Sequence, residues 1–125
     1  MNGRHDKHIL LVEDNTMELI SIHKLLVHIG HRVTATTDPQ EALNLFMSEP
    51  DKFSMLITDQ VMPMMKGHEL VTRVHEIRKD IPVIICSGAE DIVMELLEQR
   101  SDICEYILKP FSRSELVNVI LRILN

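Results

Sequence analysis

The sequence has only four glycines and five prolines in 125 residues, two cysteines, and no run of basic residues. With 45% hydrophobic and 26% charged residues, that scarcity excludes a disordered, fibrous or low-complexity chain. Thirteen Lys and Arg against nineteen Asp and Glu give a formal charge of −6. A nucleic-acid binder needs cations to displace phosphate counterions, so direct binding of DNA or RNA is disfavoured. No apolar stretch approaches the length of a membrane span and no signal peptide is evident, which points to a cytoplasmic protein that does not engage a membrane. Cys86 and Cys104 each sit within an apolar run and read as buried free thiols in a reducing compartment. Linkers, repeats and biased segments are also missing. The chain therefore reads as one domain, 8–125, behind a loose tail, 1–7, with no room for a second domain beside it. A domain of this size is expected to act through a partner, a homodimer or flanking sequence.

What is present alternates. His8-Ile9-Leu10-Leu11-Val12 is too short for a helix and too continuously apolar for a one-sided strand, so it reads as a buried parallel strand. Asn15 stands three residues before Glu18, a capping-box spacing, and Ile22, Leu25, Leu26 and Ile29 form a helical stripe that stops at Gly30. Arg32 to Thr37 is strand-like, and Asp38-Pro39-Gln40-Glu41 supplies an N-cap, a first-turn proline and a box Glu before Ala42, Leu43 and Phe46. Phe53 to Thr58 is a third strand, followed by a loop over Val61 to Gly67 and a helix striped by Leu70, Val74 and Ile77. Pro82 to Cys86 is a fourth strand, and Ile92, Val93, Leu96 and Leu97 stripe a fourth helix. Ile103 to Leu108 is a fifth strand, and Ser112-x-x-Glu115 caps a last helix carrying Leu116, Val119, Ile120 and Ile123. Five such units predict an α/β, doubly wound (βα)5 fold of the flavodoxin-like type, a five-stranded parallel sheet with helices on both faces.

In such sheets ligands bind at the carboxyl ends of the strands. The first strand ends in Glu13-Asp14, the third in Asp59, the fourth in Ser87 and the fifth in Lys109. In the strand order 2-1-3-4-5 the three carboxylates converge on one crevice. Two unit charges about 4 Å apart repel by about 4 kcal/mol at an effective dielectric near 20, so three close carboxylates cost on the order of 10 kcal/mol unless neutralised. A divalent cation is the natural remedy, and an all-oxygen donor set suits Mg²⁺ or Mn²⁺ rather than zinc. A metal flanked by a carboxylate, an ammonium and a hydroxyl suits capture of a phosphoryl group, with Asp59 as nucleophile and Lys109 and Ser87 at the transferring oxygens.

These residues resemble the receiver domain of two-component response regulators. The likeness runs from His8 to Asn125 and rests on Ile9-Leu10-Leu11-Val12-Glu13-Asp14-Asn15, Leu56 to Gly67 with Asp59 inside it, Pro82 to Gly88, and Tyr106-Ile107-Leu108-Lys109-Pro110-Phe111. It implies that Asp59 is the phosphoacceptor, that Glu13, Asp14, Asp59 and the backbone carbonyl of Val61 hold Mg²⁺, and that Ser87 and Lys109 serve the phosphoryl group. It further implies a cis peptide from Lys109 to Pro110, and Ser87 with Tyr106 as switch residues that remodel the surface of the fourth helix, fifth strand and fifth helix. The implied donor is a sensor histidine kinase or a histidine phosphotransfer protein, docking near Met17 to Ser21, with a downstream protein as target. Thr36 to Leu43, Thr58 to Pro63 and Ile85 to Gly88 look similar to receivers attached to hybrid sensor histidine kinases.

Departures from the family pattern are Glu13 where Asp is common, Val61 two places after Asp59, and Arg100-Ser101-Asp102-Ile103-Cys104 in place of a small-residue pair. A metal-dependent phosphohydrolase is the competing enzyme class, but it needs an acid where Val61 or Thr16 stands; a flavin or nucleotide module would be repelled by Glu13-Asp14. Tyr106 as an ordinary strand residue with a wet hydroxyl is the plain alternative to a switch. Seven histidines, among them the pairs His28 with His31 and His68 with His75, lack a convergent third ligand and read as surface residues. Met62, Met64 and Met65 read as gap-filling core, with a partner contact as the alternative.

Overall fold

The computed structural model describes residues 7–88, 95 and 99–124. Five parallel strands, β1 (His8–Val12), β2 (Arg32–Thr36), β3 (Met55–Asp59), β4 (Val83–Ser87) and β5 (Glu105–Leu108), lie in the order β2-β1-β3-β4-β5. Four helices are described: α1 (Thr16–His28), α2 (Pro39–Ser48), α3 (Gly67–Ile77) and the C-terminal α4 (Arg113–Leu124). A 3₁₀ turn, Pro50–Lys52, leads into β3. The predicted fourth helix, with Ile92, Val93, Leu96 and Leu97, lies outside the described residues. No helix among the described residues is long and apolar enough to cross a membrane.

The continuous apolar runs are continuous because the central strands are covered on both faces. Leu10, Val12, Leu56, Val83 and Ile85 face α2 and α3, whose Ala42, Leu43, Phe46, Leu70, Val71 and Val74 complete one buried layer. Ile9, Leu11, Met55, Ile57 and Ile84 face the other way, against Ile22, Leu25 and Leu26 of α1 and Leu116 and Ile120 of α4. The period-two alternation of side chains along each strand separates the two layers. Pairing is in register: Val12 lies opposite Thr36 and Thr58, Asp59 opposite Cys86, and Ser87 opposite Leu108. The polar residues that follow each apolar run thus arrive at one edge of the sheet.

Helix ends follow their signals only in part. Asn15 caps α1 by accepting from Glu18 N–H (3.0 Å), and Gly30, at φ 102°, takes the left-handed position after the helix. The reciprocal half of that predicted capping box is not formed: Glu13 Oε2 already accepts from Asn15 N–H (3.1 Å), and the Glu18 carboxylate turns to Lys109. In α2, Asp38 caps Gln40 N–H, while Glu41 accepts from the Thr36 hydroxyl and Asp38 N–H donates to Thr36 Oγ1, so that box is also half made. Ser112 and Glu115 form both halves at α4. Relative to the sequence reading, β3 and β4 extend through Asp59 and Ser87, and β5 begins two residues later, at Glu105.

That late start explains a correction. Cys86 is buried in the central strand β4, but Cys104 is exposed, because it precedes an edge strand that has one neighbour instead of two. The histidines are also less superficial than expected. His31 is buried, His68 hydrogen-bonds the Gln60 side chain, and His75 reaches Asp102 and the Ile81 carbonyl. Of the three methionines, Met62 is buried and Met65 packs on the core, whereas Met64, at φ 72°, is fully exposed.

Candidate functional site

The register places the Glu13 and Asp14 carboxylates, just beyond β1, beside Asp59 at the end of β3. One carboxylate oxygen from each lies within 4.8 Å of the others. Glu13 and Asp59 are buried and Asp14 is exposed, so the cluster opens to solvent on one side. Lys109, just past β5, crosses to the cluster: its Nζ lies 2.8 Å from Glu13 Oε1, 3.2 Å from Glu18 Oε1 and 3.3 Å from Asp59 Oδ1. The peptide from Lys109 to Pro110 is cis, as the resemblance implied. Lys109 N–H donates to the Ser87 carbonyl (2.9 Å), which fixes the end of β5 against the end of β4, where Ser87 is fully buried.

The electrostatics fit a cation-binding centre. Burial pushes the Asp59 carboxyl above the ordinary aspartate value, with Asp14 adding to the rise and Lys109 and the Gln60 N–H opposing it. Burial likewise raises Glu13 against the pull of Lys109 and of Asn15 N–H. Burial disfavours the Lys109 charge, but hydrogen bonds and charges from Glu13, Asp59 and Glu18 outweigh it and hold the ammonium well above the usual lysine range. One ammonium thus faces Glu13, Glu18 and Asp59, with Asp14 beside them. Hard carboxylate oxygens without a thiol or imidazole match Mg²⁺ in charge and donor type.

The acidic cluster and the Lys109 ammonium therefore come together as the sequence predicted, and the buried Ser87 stands at the end of the neighbouring strand β4. Val61 follows in the loop after β3 with an exposed side chain. Tyr106 lies on β5, packed against the α2–α3 layer, and its buried hydroxyl has no hydrogen-bond partner among the described residues. The wet-hydroxyl alternative is therefore not what the structure has. Three residues at the site went unread in the sequence. Glu18 was assigned to a cap but pairs with Lys109. Gly67 packs so tightly that a Cβ on it would stand 2.3 Å from the Asp59 carbonyl oxygen. Gln60, next to the acid, is buried and bonded at every polar group. A Gly closing the acidic loop was the one visible signal; the other two contacts follow no helical or strand period.

Fold and site together define a phosphoryl-accepting receiver, the switch module of two-component signalling. The chain belongs to the response regulator receiver domain family, which it matches over residues 9–121. It is 36% identical to the two-component response regulator ORR5 of Oryza sativa subsp. japonica, over 94% of this chain and 88% of that protein. It is 32% identical to the two-component response regulator ARR14 of Arabidopsis thaliana, over 89% of this chain but only 29% of that protein. The chain thus spans less than a third of that longer relative. Among solved structures, a receiver domain protein from Clostridium thermocellum superposes with a TM-score of 0.87 at 27% identity, covering 95% of this chain and 94% of that one. The receiver domain of the sensor histidine kinase PA1611 from Pseudomonas aeruginosa, solved with a magnesium ion coordinated in its active site cleft, superposes with a TM-score of 0.79 at 25% identity, covering 95% and 98%. Receiver domains are phosphoryl-accepting switches, not enzymes of the ordinary kind; they bind Mg²⁺ at an acidic pocket and interact with histidine kinases or phosphotransfer proteins and with downstream targets.

Proposed function

We propose that Asp59 is the phosphoacceptor and that Glu13, Asp14, Asp59 and the Val61 carbonyl hold Mg²⁺, with Mn²⁺ able to replace it. The observation that carries this reading is the gathering of three carboxylate oxygens within 4.8 Å beside a single lysine ammonium. When bound, the cation supplies positive charge against the oxygens of the phosphoryl group. The Gln60 N–H holds Asp59 Oδ1 at 3.0 Å and so orients the carboxylate. An Asp59 oxygen attacks phosphorus of a phosphohistidine as the N–P bond breaks, the electron pair leaving on the imidazole, and an acyl phosphate forms. Lys109, already 3.3 Å from Oδ1, pairs with a phosphoryl oxygen, and the Ser87 hydroxyl donates to another.

The donor is a histidine kinase or a histidine phosphotransfer protein, which meets the exposed Met17 and Ile20 of α1. Tyr106 and Ser87 form the switch. Leaving a buried hydroxyl without a partner costs about 1–3 kcal/mol, which favours a second position for the Tyr106 ring once the site is phosphorylated. The readout surface is β5 with α4, where Tyr106, Leu108, Val119 and Arg122 line an open groove of about 420 Å³ that suits a downstream protein or a second copy. We place the protein in the cytoplasm, as a regulator in its own right or as part of a hybrid histidine kinase.

Intact-mass measurement after incubation with acetyl phosphate, with and without Mg²⁺, tests the assignment. The expected result is one phosphoryl adduct on the wild type with Mg²⁺ and none on Asp59→Asn; Lys109→Ala should still be labelled but lose the coupled change at β5. Undiminished labelling of Asp59→Asn would reject Asp59 as the acceptor.

A further inference from the structure

The N-terminus of α3 lacks a capping side chain of its own. Lys66 occupies the N-cap position and has no acceptor, although Glu69 reaches back to its N–H (2.9 Å). The first N–H groups of a helix need partners from outside it. Here Gln60 provides them from the end of β3. Its carbonyl accepts from Gly67 N–H (2.9 Å) and its Oε1 accepts from His68 N–H (3.0 Å). Its Nε2 donates to His68 Nδ1 (2.7 Å), since an amide nitrogen can only donate. Its own N–H is shared between Asp59 Oδ1 (3.0 Å) and the Cys86 carbonyl (2.9 Å).

Gln60 is 1% exposed, and burying an amide is unfavourable unless its groups are bonded; here all are. The same residue therefore grips the acid, the neighbouring strand and the following helix. Gly67, against the Asp59 carbonyl, closes the loop whose two ends Gln60 joins, and Val61 lies within that loop.

We propose that Gln60, locked on His68, is a positioning residue for cation binding and phosphoryl transfer at Asp59: it sets the orientation of the Asp59 carboxylate and the path of the loop that carries Val61. This rests on the reading of Asp59 as the acceptor. Gln60 touches neither the cation nor the phosphoryl group; it acts through Asp59 and the backbone beside it. Disturbing an outer partner that orients a metal ligand weakens metal affinity by about 10-fold; Gln60→Leu keeps the N–H on Asp59 Oδ1 but removes the side-chain bonds to His68 that hold that N–H in place.

The test is calorimetric titration of Mg²⁺ into the unphosphorylated wild type, Gln60→Leu, His68→Ala and Gln60→Leu/Lys66→Ser, alongside thermal melts and acetyl phosphate labelling. Gln60→Leu is expected to need about 10-fold more Mg²⁺ for half-saturation of binding and of labelling. His68→Ala keeps the N–H that Oε1 accepts and should shift in the same direction by a smaller factor, which preserves the test should Gln60→Leu fold poorly. The Lys66→Ser replacement gives α3 a cap of its own and should recover melting temperature without recovering Mg²⁺ affinity. Unchanged half-saturation in both single variants, or recovery of affinity together with stability in the double variant, would reduce Gln60 to a helix cap and overturn the proposal. A wild type that binds Mg²⁺ but takes no adduct would instead overturn the acceptor assignment.

Discussion

Strands β3 and β5 belong to one sheet and differ in almost every physical respect. Every residue of β3 is buried between two neighbouring strands and two helical layers, so its chemistry is confined to its end, at Asp59. In β5 one residue is buried, two are half-buried and Leu108 is exposed, because the strand pairs only with β4. The interior strand holds a carboxylate at a fixed place; the edge strand carries Tyr106, whose hydroxyl has no partner among the described residues, and the Glu105–Arg122 ion pair on the surface. On the proposed reading, the buried end of β3 fixes the charge and the partly exposed edge strand is the part that responds, a division that follows the position of each strand in the sheet.

The contrast can be broken most strongly in the core. Leu56→Ala, which empties a fully buried site in β3, should cost about 3 kcal/mol of unfolding free energy, whereas Leu108→Ala should cost under about 1 kcal/mol, as chemical denaturation will measure. Similar costs would mean that β5 is packed by something else in solution. Next in size, Gly67→Ala forces a Cβ toward the Asp59 carbonyl and should cost about 2 kcal/mol while slowing labelling of Asp59, a result that mass measurement and melting check together.

A smaller effect has the opposite sign. Burial is the main cause of the raised Asp59 and Glu13 values, so ionising these groups works against the fold. The stability of their protonated forms is fully present below the unfolded carboxylate pKa of about 4 and is lost as pH rises through the elevated folded values. Without divalent metal, Asp59→Asn should therefore melt a few degrees higher than the wild type at pH 7, with the gap closing toward about pH 4 and on addition of Mg²⁺. A wild type that melts higher at pH 7 would show that Lys109 outweighs burial. Least disturbing of all is alkylation of the native protein. Cys104 should react within minutes and Cys86 only on unfolding, since burial pushes the Cys86 thiol up to about 12; modification of both at one rate would contradict the strand assignment.

The parts that were legible in the sequence share a cause. β1 was read to its residue limits because four branched apolar residues behind His8 end at two acids, and Asp59, Ser87 and Lys109 stood out because parallel sheets place their ligands where apolar runs stop. Cys104 was misplaced because the apolar run from Ile103 does not reveal that pairing as a strand begins only at Glu105, which leaves Cys104 in the exposed approach to it. The turn that departs from the family pattern shows its role only in the fold. Arg100 clasps Asp102 through two contacts of 2.8 and 2.7 Å and reaches the His68 carbonyl, while Asp102 meets His75 at 3.0 Å. These pairings join α3 to the approach of β5 across 27 residues or more, a separation at which no local period operates.

The parallel register between β1 and β3 carries a consequence for mutation. Leu10 and Val12 point to one layer, Ile9 and Leu11 to the other, and both layers accept side chains of this size. Loss of one residue within β1 exchanges the two sets without exposing an apolar group, so hydrophobic burial alone hardly resists the slip. The same loss draws Glu13 and Asp14 out of step with Asp59 by about 3.3 Å, most of the span within which the three carboxylates now meet. A deletion there can leave a folded protein whose three acids no longer meet: the length of β1 fixes the alignment of two acids more strictly than it fixes the sheet that carries them.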